Sequence, residues 1–316
     1  MISRRLIRIK VLQTFYSYRL EGCKSVSEAE KQLFESIDRV YGLFFYLTSL
    51  LIEIFDFARW KLEQGKYKLL PTEEDLNPNT KFIDNQIIQQ LRENLQYNEG
   101  IKKIAYKWND EADRELVKRL YEQIKKSDFY KEYMANEQRS YQEDKKMLLF
   151  IIEKILLYNE DINDNLEEKS IFWADSVDYG WVVLHKVISK YSIGDDMRKS
   201  LFVKFRSDED SIFARELLTK SLMRQAQYIQ ILEDHIANWD ISRLAQTDII
   251  ILVLALHEIL YFEEVPVKVT MDEYIEIAKH YSTAKSPAFI NGILDKIVKK
   301  FREENLITKT GKGLIE

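Results

Sequence analysis

Ile249-Ile-Ile-Leu-Val-Leu-Ala-Leu256, followed by His257-Glu258, is the stretch on which the fold turns. It has no two-residue alternation, and it is shorter than the roughly 20 residues a membrane span needs. It reads as the middle of a buried core helix from Arg243 to Tyr261, with Ser242 as candidate cap. Downstream, Val265-Pro266-Val267-Lys268-Val269 reads as an extended connector, because proline disfavours helix at the residue before it. Thr270-x-x-Glu273 has the form of a capping box opening a helix from Met271 to His280. Ser286-Pro287 places a cap residue before a proline at the first helical position, ahead of a helix over Ala288 to Arg302. Upstream, Ser207-x-x-Asp210 marks a helix start before Phe213.

The rest of the chain follows the same helical logic. Residues 3–21 read as one helix with Ile2, Leu6, Ile9, Tyr16 and Leu20 on its apolar side. Ser27 and Glu30 suggest a capping box for a long apolar helix running to about Lys61. Its apolar run, Leu43 to Phe55, is again short for a membrane span. Leu69 to Thr80 is the clearest loop. Helical patterns cover Lys81 to Lys126 and Phe129 to Tyr158, and Glu160 to Asn165 is a polar break. With only 9 Gly and 4 Pro in 316 residues, long helices are expected and a turn-rich β-sandwich is not. The fold class expected is all-α.

Composition narrows the function. The single cysteine, Cys23, excludes an intrachain disulfide framework and a Cys-based zinc site, and suits a cytoplasmic setting. No targeting or membrane segment is read. His257-Glu258 begins like a metalloprotease motif, but Tyr261 stands where the second His belongs. No phosphate-cradling glycine loop or nucleophile elbow occurs. No enzyme activity, cofactor or metal is therefore expected. The net charge of −5 demands a local basic patch for any nucleic-acid role.

Two clusters qualify as candidate binding residues. Arg4, Arg5 and Arg8 fall within about a 100° arc of the first helix, and the first acidic residue is Glu21. Lys10 points elsewhere. Cations at a helix start oppose the macrodipole by about 0.3–1 kcal/mol each, which suggests an anionic partner such as nucleic-acid phosphate. The second cluster is Ser286-Pro287-Ala288-Phe289-Ile290-Asn291-Gly292. Phe289 in a first helical turn can stack on an unpaired base, and Asn291 can bond a base edge or hold the neighbouring helix. Gly292 within a helix costs about 1 kcal/mol relative to Ala, which a close helix–helix approach would offset. For Phe289 a core role is equally open.

The C-terminal third resembles the NusB family of bacterial transcription antitermination factors. The resemblance rests on Arg243-Leu-Ala-x-x-Asp248 with Leu254-Ala-Leu-His257-Glu258-Ile-Leu260, and on Val265-Pro266-x-Lys268-Val269. It continues through Asp272-Glu273-x-Ile275-Glu276-Ile277-Ala278-Lys279 and ends at Phe289-Ile-Asn291-Gly292-Ile-Leu294-Asp295-Lys296. Arg4-Arg5, Arg8 and Leu12 to Ser17 are similar to the family's first helix, and Phe213-x-Arg215-Glu216-Leu-Leu218 to its third. On this basis residues 1–21 and 205–303 form a NusB-like domain, residues 22–204 a helical insertion with a linker-like loop at 69–80, and residues 304–316 a tail.

The resemblance implies binding to single-stranded boxA-type RNA together with NusE, a small ribosomal subunit protein, within an RNA polymerase antitermination complex. It implies RNA contacts at Arg4, Arg5, Arg8 and Phe289, to which the residues themselves add Asn291 as a candidate. Tyr16 matches a family position, but the helical wheel puts it on the apolar side, which makes it structural first. The resemblance also allows a homodimer that buries the RNA surface. Leu6 stands where a further cation is common, and Pro287 and Ala288 replace polar or basic residues. The large insertion, the net charge of −5 and the reduced basic cluster motivate an alternative, a non-catalytic protein–protein scaffold of this fold that has lost RNA binding.

Overall fold

The structure is a computed structural model and describes residues 1–21, 25–235 and 244–314. Among these residues it is helical and contains no strand. The helices are α1 (Arg4–Glu21), α2 (Val26–Gly65), α3 (Glu73–Leu76), α4 (Gln86–Glu93), α5 (Leu95–Lys102), α6 (Glu111–Lys126), α7 (Asp128–Ala135) and α8 (Tyr141–Ile151). There follow α9 (Glu160–Lys169), α10 (Val177–Ser189), α11 (Asp208–Met223), α12 (Gln225–His235), α13 (Gln246–Tyr261), α14 (Val267–Tyr281) and α15 (Ser286–Glu303). The fold class expected from the residues is the one found.

The chain forms two compact units. The first comprises Met1 and Asp38–Lys204, the second Ile2–Ile37 and Phe205–Glu316. In the first unit, the Tyr46 ring lies against Trp108 at 4.5 Å and against Trp173 at 5.0 Å, both stacked. Gly100 and Gly180 let α5 and α10 approach α2 closely, since a Cβ at either position would collide with Phe45 or Leu47. Asp113 is fully buried and paired with Lys169 at 2.8 Å, which offsets the cost of burying the carboxylate.

The second unit is organised around α13. Its residues from Asp248 to Ile259 are all buried, as expected of a helix apolar all round. Helices α1, α11, α12, α14 and α15 all pack on it. The start of α2 belongs to this unit too. Ala29, Leu33 and Ile37 are buried, Glu30 pairs with Arg215 of α11 at 2.6 Å, and the Arg215 guanidinium lies over the Phe34 ring. The segment after α15 folds back on the α13–α14 turn: the Thr310 N–H donates to the Glu263 carbonyl at 3.0 Å, and Lys309 Nζ donates to the Phe262 carbonyl at 3.0 Å.

Several local expectations are corrected by side-chain bonds the pattern does not reveal. Ser25, not Ser27, caps α2, with its Oγ accepting from the Glu28 N–H, while Glu30 is engaged by Arg215. The expected break at Glu160–Asn165 is helix α9, capped by Asn159. The loop at 69–80 contains the short α3, closed by a Thr72/Asp75 capping box. Helix α14 begins at Val267, so the extended connector ends at Pro266 and Thr270 lies inside the helix. Cys23, Ser242 and Arg243 lie outside the described residues. Helix α2 is long and apolar enough to cross a membrane by length and composition, but 78% of its apolar window is buried inside the protein, as in a core helix.

Candidate nucleic-acid interface

Ser3 opens α1 by accepting the Leu6 N–H on its Oγ. The helix then buries Leu6, Ile7, Val11, Leu12 and Phe15. That face differs from the one expected, because Tyr16 (39% exposed) and Leu20 point outward. Tyr16 is thus a surface aromatic on the basic helix, which reverses its structural reading.

The three arginines have three different environments. Arg8 is 3% exposed and makes a bidentate pair with Glu258 at 2.8 and 2.5 Å. Glu258 is fully buried, and it also accepts from the Thr270 hydroxyl at 3.0 Å and the Tyr274 hydroxyl at 3.1 Å. Burial is the largest single influence on the Arg8 guanidinium and lowers it, but the charge and hydrogen bonds of Glu258, with Tyr274 and Glu273 adding to them, together outweigh it and hold the group above its ordinary range. Burial likewise pushes the Tyr274 phenol well up, and Glu258 adds to it. Arg8 is therefore a core ion-pair residue, and its guanidinium is spent on Glu258 rather than offered to a phosphate. The physical reason is geometric: α1 lies on α13, and the turn that carries Arg8 faces the one carboxylate on an otherwise apolar helix stretch.

Arg5 is the most exposed of the three, at 53%, and forms a fork with Glu273 at 2.8 and 2.9 Å. Arg4, 37% exposed, pairs with Asp210 at 2.9 Å. The guanidinium carbons of Arg4 and Arg8 lie 5.1 and 5.3 Å from the Phe213 ring centroid, within cation–π range. Acids more than 200 residues away in sequence thus compensate the unfavourable charge at the helix start. Lys10 is buried and donates to Gln13.

Phe289 and Asn291 sit on α15, which packs on α13 and α14. Phe289 is half-buried in the first turn, where its N–H donates to the Lys285 carbonyl. Asn291 donates to Asp295 at 3.1 Å on the exposed side. A Cβ on Gly292 would meet nothing within 4 Å, so no close helix approach inside the protein offsets this glycine. Ser286 does not cap α15 in the expected way. Its Oγ donates to Asp248 at 2.8 Å, joined by Ser282 Oγ at 2.6 Å, which ties the start of α13 to the α14–α15 turn. The structure therefore sets Arg4 and Arg8 against Phe213, pairs Arg4 with Asp210 of α11, Arg8 with Glu258 of α13 and Arg5 with Glu273 of α14, and places Phe289 and Asn291 on α15, which packs on α13 and α14.

The residues missed by sequence reasoning are the acids. Glu258 left a usable signal: a carboxylate within a fully apolar helix must find a buried partner. Thr270 and Glu273, read as a capping box, are both parts of the arginine network. His257 is also buried, with Nδ1 2.7 Å from the Tyr228 hydroxyl. Burial, with Arg224 and Lys220 nearby, pulls its imidazole down to about 4. Among the described residues no cluster of metal-ligating side chains occurs.

The fold is an all-helical domain in which the start of a basic helix, α1, and a helix bearing an aromatic and an amide, α15, are both carried by helices packed on α13. The sequence profile of the NusB family matches residues 184–299. The chain is 43% identical over 116 residues to the transcription antitermination protein NusB of Salinibacter ruber, covering 36% of this chain and 72% of that protein. It is 39% identical over 118 residues to that of Geotalea uraniireducens, covering 37% and 78%, and 39% identical over 109 residues to that of Chloroherpeton thalassium, covering 33% and 52%. No solved structure matches. The chain belongs to the NusB family.

Proposed function

We propose that this chain is a non-catalytic, cytoplasmic transcription antitermination factor that binds single-stranded boxA-type RNA with NusE. The observation that carries the reading is the match of the NusB family profile to residues 184–299, which takes in α13, α14 and most of α15, together with the identity to NusB proteins. Arg5 and Arg4 approach phosphates, and Phe289 with Tyr16 supplies aromatic surface for bases. Asn291 bonds a base edge. Arg8 acts one step removed, by anchoring Glu258 and with it the α1–α13–α14 packing. Two phosphate contacts on a single strand give a salt slope of about −1.4, so affinity depends strongly on the protein partner. Residues 22–204, whose bulk forms the first compact unit, are an insertion into the NusB-like domain.

The test is fluorescence anisotropy on boxA-like and scrambled RNA across a salt series, with and without NusE, comparing the intact protein with Arg4→Ala/Arg5→Ala and with Phe289→Ala. Arg8 stays unchanged, because removing it strands a buried carboxylate. Sequence-preferring binding that both variants weaken supports the reading. One observation favours the scaffold alternative: Asp210 and Glu273 already engage Arg4 and Arg5. Negligible RNA binding with NusE still captured would establish it.

A further inference from the structure

The segment after α15 builds a second basic site that the RNA reading does not use. A cavity of about 650 Å³ lies between this segment, the end of α15 and the start of α14. That volume is within the range of small-molecule sites. Lys268, Arg302 and Lys309 line it together with Val267, Ile307 and Leu314, and among the described residues no acidic one lines it.

Lys309 is the unusual member. Its Nζ donates one bond, to the Phe262 carbonyl, on an ammonium with three donors. Burial pulls it down to about 8, although the Glu258 and Glu263 carboxylates pull the other way. An anion in the cavity would restore what burial takes from the charged form. The first turn of α14 adds backbone N–H groups and the positive end of a 15-residue helix on the same side. Gly313 keeps the segment seated, since any side chain there would strike the Glu263 carbonyl.

We propose that this cavity binds a small molecule bearing a diphosphate. Lys268, Arg302 and Lys309 would hold the phosphoryl oxygens, while Val267, Ile307 and Leu314 pack against the remainder. Three cations around one cavity suit a ligand with more than one negative charge, and the apolar wall suits a nucleoside diphosphate over bare diphosphate.

Isothermal titration of the full-length protein with ADP and with inorganic pyrophosphate tests this, run near pH 8 in two buffers of different ionisation enthalpy. The expected result is saturable binding with proton uptake, tighter for ADP, and at least tenfold weaker in Lys268→Ala/Arg302→Ala and in Lys309→Gln. Lys268 is exposed, so the single Lys268→Ala variant, expected to bind several-fold more weakly, keeps the test valid if Lys309→Gln unseats the segment. Arg4→Ala/Arg5→Ala is expected to bind both probes like the intact protein, which separates this site from the RNA face. The absence of saturable binding, or equal binding by all variants, overturns the proposal.

Discussion

The start of α1 and the start of α15 carry the residues proposed to contact RNA, and they are built on opposite principles. At the start of α1 each of Arg4, Arg5 and Arg8 is answered by a carboxylate from a distant helix, and one pair, Arg8–Glu258, is wholly inside. At α15 Asn291 bonds Asp295 of its own helix, a Cβ on the exposed Gly292 would meet nothing within 4 Å, and Phe289 is half-buried. The first region joins recognition to stability through α13. In the second, among the described residues, no ion pair to a distant helix involves Asn291 or Gly292. A single substitution therefore has very different consequences at the two ends.

The strongest way to break this comparison is Arg8→Ala. It leaves Glu258 buried without its cation and is expected to cost about 3–5 kcal/mol in urea denaturation. Arg8→Met with Glu258→Gln, which keeps an acceptor for Thr270 and Tyr274, is expected to recover at least half of that. If Arg8→Ala costs under 1 kcal/mol, the ion pair is not a structural anchor.

Next comes acid sensitivity. His257 binds its proton near pH 6.5 when unfolded but only near 4 when folded. The unfolded state therefore holds more protons between these values, and stability falls as pH drops from about 6.5 to 4. The loss from this group reaches about 3 kcal/mol. Denaturation midpoints from pH 7 to 5 would show the slope, and His257→Gln would flatten it.

Gly292→Ala sharpens the other end. No atom lies within 4 Å of the added Cβ, so the helix is expected to gain about 1 kcal/mol in thermal unfolding. If RNA or NusE approaches this turn closely, the same variant binds more weakly while being more stable. The smallest effect is that of Arg5→Ala. Its fork with Glu273 is half exposed, so the stability change is expected below about 1 kcal/mol, while RNA affinity at low salt falls.

Much of this was legible in the residues. The all-helical class followed from few breakers, and the buried α13 from its apolar run. The motif from Phe289 to Lys296 pointed to the family. The errors cluster where a polar side chain reached across the fold instead of along its own helix. Ser27, Thr270 and Ser286 all have local capping patterns. Thr270 and Ser286 bond a buried carboxylate instead, and Ser25 does the capping at α2.

Helical periodicity is a property of neighbouring residues, so the sequence by itself determined that α1 is a helix carrying Arg4, Arg5 and Arg8 near its start. Which of these arginines faces water is a different matter. Only the packing of α1 on α11 and α13, with α14 close enough to pair, brings Asp210, Glu258 and Glu273 to the arginines and buries one of the three. Those acids are more than 200 residues away along the chain, and no local pattern encodes a pairing set by three-dimensional proximity.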